Sequence, residues 1–296
     1  MGSRVDLHIH SNKSSDGTYS PCEIVNLARK TGLRAISISD HDTVAAYPEA
    51  LICGKKEGIE IIPSMEVTTI YKNREFHMLL PFLDWDNQHV KELEFRIKEA
   101  RMTEARERVD KLIDLGFPIA WDEVLKETEP FAPLGVTIAQ VVIEKEKKMG
   151  ISNSKNSGIL NSTFFDPYLF YQKYFMEGKP AWVPRRNINI LDVLKLVPKT
   201  GGVPVMAHPG AFFQRANEKD IAALKENGLQ GIEVFSSYHD RMQVRFYQRL
   251  AEKYDLVVTA GSDFHGAIKP HIEFGSVTNS DYQMIEELRK RRDGCS

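Results

Sequence analysis

The feature that most restricts the fold is a repeated alternation of short β-branched runs with stretches of helical period. Runs at Arg4–His10, Arg34–Asp40, Ile59–Thr68, Arg74–Leu83, Val203–His208, Gly231–Ser236 and Leu256–Gly261 read as strands. Helical spacing occupies Pro21–Thr31, Thr43–Glu57, Glu218–Asn227 and Asp240–Tyr254, with Pro21 at a helix start. The connection at Tyr71–Asn73 has room only for a hairpin. Strands that alternate with helices imply a mostly parallel sheet with helical crossovers, and seven of them suggest a barrel-like α/β fold. No glycine-rich phosphate loop follows any strand, which argues against an open nucleotide-binding sheet.

The pattern changes over residues 84–183, which are charged, helical in period and nearly free of strand signals. This stretch is predicted to be an inserted, mainly helical domain, with 1–83 and 184–296 forming the barrel. Its helices are expected at Asn87–Leu115 (closed by Gly116), near Trp121–Thr128, and at Thr137–Lys148 (closed by Gly150), with Ser152–Ser162 as a loop.

Composition then excludes several classes. A chain of 296 residues with 42% apolar content can bury a full core without staples. The formal net charge of -2 lacks the basic excess of a protein that coats nucleic acid, although a small nucleotide substrate remains compatible. Cys22, Cys53 and Cys295 match no zinc-ribbon spacing and are expected as reduced thiols without a role. With no apolar stretch of signal or membrane-span length, the expected location is cytoplasmic and no membrane is implied. The basic run Arg289–Arg292 reads as a solvated helix end whose cations complement the helix dipole.

In the first strand Asp6, His8 and His10 alternate with Val5, Leu7 and Ile9, so a period of two puts the polar side chains on one face. Two imidazoles facing one space suit a metal ion. Further candidates stand near other strand ends: His41 in Ser39-Asp40-His41-Asp42, Glu66, His77 diagonally across the hairpin from Glu66, His208 in Ala207-His208-Pro209, and Asp263 with His265 in Ser262-Asp263-Phe264-His265. Six of nine histidines therefore lie beside strand ends, which in a parallel barrel converge on one rim, so a metal site is predicted. His89, His239 and His271 are expected on the solvent-exposed surface. Asp40 and Asp42 read equally well as acceptors for ligating imidazoles or as helix caps.

Together with Ser15-Asp16-Gly17, these motifs resemble the PHP (polymerase and histidinol phosphatase) superfamily over residues ~1–83 and ~184–270. Gly178-Lys179-Pro180-Ala181-Trp182-Val183-Pro184 and Gly201-Gly202-Val203-Pro204-Val205 are similar to its stand-alone phosphoesterase branch. The resemblance implies a distorted seven-stranded barrel and two or three divalent ions, manganese, zinc or iron. One ion would be held by His8, His10, Glu66 and Asp263, a second by Glu66, His77 and His208, and a third by Asp16, His41 and His265. Paired cations about 3.5–4 Å apart would lower the pKa of a shared water, so that a bridging hydroxide attacks phosphorus. Lys179 and Arg186 are the candidate substrate contacts. The implied reaction is hydrolysis of a small phosphorylated metabolite, a nucleotide above all. The alternatives are 5′-end exonuclease action on short RNA or DNA and a non-catalytic metal-binding module. No protein partner is implied. Where nucleotide-processing members carry a Gly-Arg-x-His-type stretch, this chain reads Pro133-Leu134-Gly135-Val136-Thr137-Ile138-Ala139, so the specific bisphosphate activity does not transfer by motif.

Overall fold

A computed structural model describes residues 4–149, 166–212 and 214–294; the expected Ser152–Ser162 loop and Cys295 lie outside them. The chain divides into two compact units, Met1–Glu94 with Ile188–Ser296, and Phe95–Asn187. That places the division at 94/95 and 187/188, where the composition change suggested 83/84 and 183/184.

The first unit opens with β1 (Val5–Ile9), α1 (Pro21–Lys30), β2 (Ala35–Ile38), α2 (Tyr47–Glu57), β3 (Glu60–Ile61), β4 (Glu66–Tyr71) and β5 (Arg74–Leu79). It resumes after the second unit with β6 (Ile188–Asn189), α7 (Ile190–Leu196), β7 (Val205–Met206), α8 (Glu218–Glu226), β8 (Gly231–Ser236), α9 (Arg241–Lys253), β9 (Val257–Gly261) and α10 (Gln283–Gly294). Local chemistry sets the helix starts. Ser20 and Glu23 form a reciprocal capping box ahead of Pro21 in α1, and Asp240 accepts from the backbone N–H groups of Met242 and Gln243 in α9.

The strands form a parallel sheet ordered β1-β2-β3 and a mixed sheet ordered β6-β4-β5-β7-β8-β9. All neighbours are parallel except the β4–β5 hairpin and the β5–β7 pair. Single parallel bridges join the sheets at two places, Ile9 with Phe264 and His41 with Glu66. Behind them Val5, Leu7, Ala35, Val205, Val257, Ile285 and Leu288 form a buried cluster. At about 25 cal/mol per Å2 of apolar surface, such burial is the main force holding the strand frame.

The second unit contains α3 (Gln88–Asp114, which begins in the first unit), α4 (Trp121–Thr128), α5 (Gly135–Lys148) and α6 (Pro167–Tyr174). Val109, Leu112, Val124, Ile138, Val142 and Phe170 are among the side chains of its own buried core.

Several expectations need correction. The expected strand Ile59–Thr68 is two segments, because Pro63 lies between β3 and β4 and cannot donate to a ladder. The two-residue β6, parallel to β4, carries no periodic signal to read. Cys22 and Cys53, expected as thiols without a role, stand side by side on α1 and α2, with Cα atoms 5.6 Å apart. The basic run is partly engaged: Arg289 pairs with Glu60 and Arg291 with Asp255. No described helix is long and apolar enough to cross a membrane.

Candidate metal centre

β1 supplies the first two imidazoles, and its register is fixed from behind. Asp6 Oδ1 accepts from the backbone N–H of His8 at 3.3 Å and of Ser262 at 2.9 Å, tying β1 to the end of β9. Asp6 is thus an anchor of the strand end. The chain then turns at Ser11, whose N–H and Oγ both donate to Asp40 at 2.6 Å. Asp40, weighed above as an imidazole acceptor, therefore holds this turn, while Asp42 Oδ1 accepts from the N–H of Thr68 at 2.9 Å. Gly17 is required here because a Cβ would sit 2.0 Å from the carbonyl oxygen of Ser11, and this close approach returns Asp16 toward the strand ends.

Glu66, the first residue of β4, is the hub. Its Oε2 lies 3.2 Å from His8 Nε2, His10 Nε2 and His41 Nδ1, and its Oε1 lies 3.0 Å from His77 Nδ1 and His208 Nε2. The hairpin register opposes Thr68 to His77 and Glu66 to Leu79, which is the diagonal placement that periodicity implied. Asp263 Oδ1 lies 3.1 Å from Nε2 of both His8 and His10. Asp16 Oδ2 lies 3.4 Å from His41 Nε2 and 3.2 Å from His265 Nε2. Every one of the nine residues singled out in the sequence stands in this connected group.

Three subsets have ligand atoms mutually within 4.8 Å: His8, His10, Glu66 and Asp263; His41, Glu66 and His77; and His10, Asp16, His41 and His265. The first matches the set implied by resemblance. The other two bring His41 beside the Glu66–His77 pair and His10 beside Asp16, His41 and His265. His208 joins through its contact with Glu66.

The donor geometry fits divalent ions. His8 Nε2 and His10 Nε2 lie 3.1 Å apart, and each stands 3.2 Å from Glu66 Oε2 and 3.1 Å from Asp263 Oδ1. Donor atoms this close to one another suit a shared ion that bonds imidazole nitrogen and carboxylate oxygen at about 2.0–2.2 Å. Glu66 Oε2 and His41 Nδ1 are buried and make no hydrogen bond of acceptable angle, although they lie 3.2 Å apart. Atoms aimed at a shared point, rather than at each other, behave this way.

Electrostatics points the same direction. Burial opposes charge on His8, but Glu66, Glu233 and Asp263 outweigh it and hold its pKa well above the usual imidazole range. His10 is raised to about 9 against the same burial by hydrogen bonds and charge from Asp263 and Glu66. Asp16, Glu66 and Asp263 lie well below the carboxylate range despite burial, because imidazoles surround each of them. The carboxylates thus favour positive charge at His8 and His10, which a bound ion would supply in place of protons, whereas burial holds His41 and His265 below the usual imidazole range.

Three supporting residues escaped the sequence reading. Glu233, fully buried on β8, accepts from His8 Nδ1 at 3.1 Å and from the N–H of His208 at 2.8 Å. The ring proton it holds on Nδ1 leaves Nε2 as the ligand atom. The signal was present as a single carboxylate in an otherwise apolar strand, Gly231-Ile232-Glu233-Val234-Phe235. Tyr238 and Lys269 both bond Asp263 Oδ2, each at 2.7 Å. His239, expected on the surface, is half-buried: Nε2 accepts from the N–H of Gly210 at 2.8 Å, and Nδ1 donates to the carbonyl of Val234 at 2.8 Å. Lys179 and Arg186 belong to the second unit, where Arg186 pairs with Glu107. Replacing Glu233→Gln is expected to weaken metal affinity about 10- to 100-fold, since an amide releases the His8 tautomer; titration of the metal-free variant with Mn2+ measures it, and unaltered affinity would count against the role.

Comparison with known proteins follows this geometry. The PHP domain family profile matches residues 6–116. A 5′-3′ exoribonuclease of Haemophilus influenzae is 29% identical over 90% of this chain and 91% of its own length. The 3′,5′-nucleoside bisphosphate phosphatase of Chromobacterium violaceum is 25% identical over 88% and 87%. A crystal structure from Bifidobacterium adolescentis, assigned as a metal-dependent phosphoesterase, superposes with a TM-score of 0.76 at 27% identity, covering 97% of this chain and 96% of that one. The profile match spans the segment that carries the first six of the nine converging side chains, and the chain is similar to PHP-type metal-dependent phosphoesterases in sequence over that segment and in fold.

Proposed function

We propose that the protein hydrolyses phosphate esters with divalent ions held by His8, His10, Asp16, His41, Glu66, His77, His208, Asp263 and His265, and that its substrate is a small phosphorylated metabolite, a nucleotide above all. The observation that carries this reading is the Glu66 carboxylate within 3.2 Å of five imidazole nitrogens. The two sheets, bridged at Ile9–Phe264 and His41–Glu66, are read here as one distorted seven-stranded barrel with the helical unit as its insertion.

Bound ions would acidify water and neutralise charge on the phosphate oxygens as the P–O bond of the ester breaks. The chain's own residues prepare that chemistry. Glu233 fixes the ring of His8, and His265 donates Nδ1–H to the carbonyl of Asp263 at 2.8 Å, so that its Nε2 faces Asp16. His8, His10 and His265 are fully buried, which keeps bulk water from competing for their lone pairs. Lys179 and Arg186 are the proposed substrate contacts.

A second reading, exonuclease action on short RNA, is favoured by the likeness to the 5′-3′ exoribonuclease of Haemophilus influenzae. The two separate experimentally. His8→Ala is expected to reduce turnover of an aryl phosphate to background while the circular dichroism spectrum is retained, and undiminished turnover would refute the metal-centre assignment. Affinity for a short oligonucleotide that falls steeply with salt would favour the nuclease, because phosphate contacts release counterions.

A further inference from the structure

Lys269 lies outside the motifs that the sequence singles out. It follows the short 3-10 turn Gly266–Ile268, which leads away from His265. Thr18 pins that turn by accepting from the N–H of Ala267 at 3.1 Å, and Gly266, at φ 66°, would bring a Cβ to 2.0 Å from Thr18 Oγ1. The lysine therefore projects from a fixed position. Its Nζ donates to Asp263 Oδ2 at 2.7 Å and to Tyr238 Oη at 2.8 Å, while Tyr238 Oη donates to the same carboxylate oxygen at 2.7 Å.

The two oxygens of Asp263 thus do different work. Oδ1 faces His8 and His10 at 3.1 Å, and Oδ2 faces Lys269 and Tyr238. An ammonium carries three donors, and two are engaged. Asp263 is 2% exposed but the Lys269 side chain is 27% exposed, so the lysine spans from the buried centre to solvent. A cation held against a metal-ligating carboxylate works against cation binding, since like charges repel most where water is excluded. Its placement makes electrostatic sense when an anion joins the centre. From this geometry we infer that Lys269 binds a non-bridging oxygen of the substrate phosphate through its third N–H, with Tyr238 and Asp263 as the residues that aim it.

This inference rests on the phosphoesterase reading, and the test separates the two. Calorimetry on protein loaded with Mn2+ and titrated with inorganic phosphate should show Lys269→Met binding phosphate about 10- to 100-fold more weakly than the wild type, the loss of one charge-assisted hydrogen bond. Its affinity for Mn2+ alone should be equal or tighter, and KM for an aryl phosphate should rise by a similar factor. Lys269→Arg should recover much of the phosphate affinity. Phosphate binding unchanged in Lys269→Met overturns the inference while leaving the phosphoesterase reading intact. Loss of Mn2+ affinity in that variant also overturns it, by showing that the lysine serves only to position Asp263. Should Lys269→Met fail to fold, Tyr238→Phe, which releases the ammonium from one of its two ties, should weaken phosphate binding several-fold with Mn2+ affinity retained, and wild-type phosphate affinity there counts against the inference. A wild-type protein that takes up no Mn2+ and hydrolyses nothing removes the phosphoesterase reading itself.

Discussion

Glu66→Gln is expected to lower turnover by about a thousandfold or more while the protein stays folded. Both oxygens of Glu66 serve the centre, Oε2 toward His8, His10 and His41 and Oε1 toward His77 and His208, so one substitution withdraws charge from all five contacts. Lewis-acid and water-activating effects of metal ions amount to several kcal/mol, and each 1.4 kcal/mol is a factor of ten in rate. The amide has the size of the carboxylate, so no cavity opens, and the histidines that Glu66 helps to charge can settle into their neutral form. Elemental analysis should show a reduced ion content in parallel with the lost turnover. A Glu66→Gln protein with full ion content and wild-type turnover would end the assignment of Glu66 as hub.

The second large effect is steric. At Gly261, the last residue of β9, an added Cβ would fall 2.2 Å from Glu233 Oε1 and 2.2 Å from the Cβ of His8. A flexible side-chain tip can yield, but the Cβ of His8 moves only with β1. Gly261→Ala should therefore destabilise the protein by about 1–3 kcal/mol or more, the usual range for overpacking a filled interior. In a chain of this size that corresponds to a fall in Tm of roughly several degrees. It should also weaken metal binding, because the clash falls on the pair that orients the first imidazole. A melting temperature and Mn2+ affinity equal to the wild type would show that the strands tolerate the methyl group and that the packing argument is wrong.

The convergence of nine side chains was legible in the sequence for a physical reason. Ligands at strand ends carry two signals at once, a period-two alternation that defines a face and a turn-rich segment that defines a terminus. His8 and His10, or Asp263 and His265, are read by the first signal, and His208 before Pro209 by the second. The supporting residues carry neither. Glu233 lies inside its strand, and Tyr238 and Lys269 follow strand ends on loops whose course depends on tertiary contacts. The same limit applies to the fold. Long periodic helices such as α9 are visible, but the break at Pro63 was overridden by the apolar run around it, and β6 is set by its neighbour β4 rather than by its own two residues. His239 looked like surface because its two hydrogen bonds reach backbone groups at Gly210 and Val234, which no side-chain pattern encodes.

The backbone N–H of Asp263 donates to the carbonyl of His8 at 2.8 Å, a link between residues far apart in the sequence. A nascent chain that has not yet released residues 263–265 from the ribosome therefore lacks two of the nine donors and the seam that closes β9 onto β1. The full group of converging side chains therefore assembles only once residue 265 has emerged, and a fragment arrested short of this point cannot complete it.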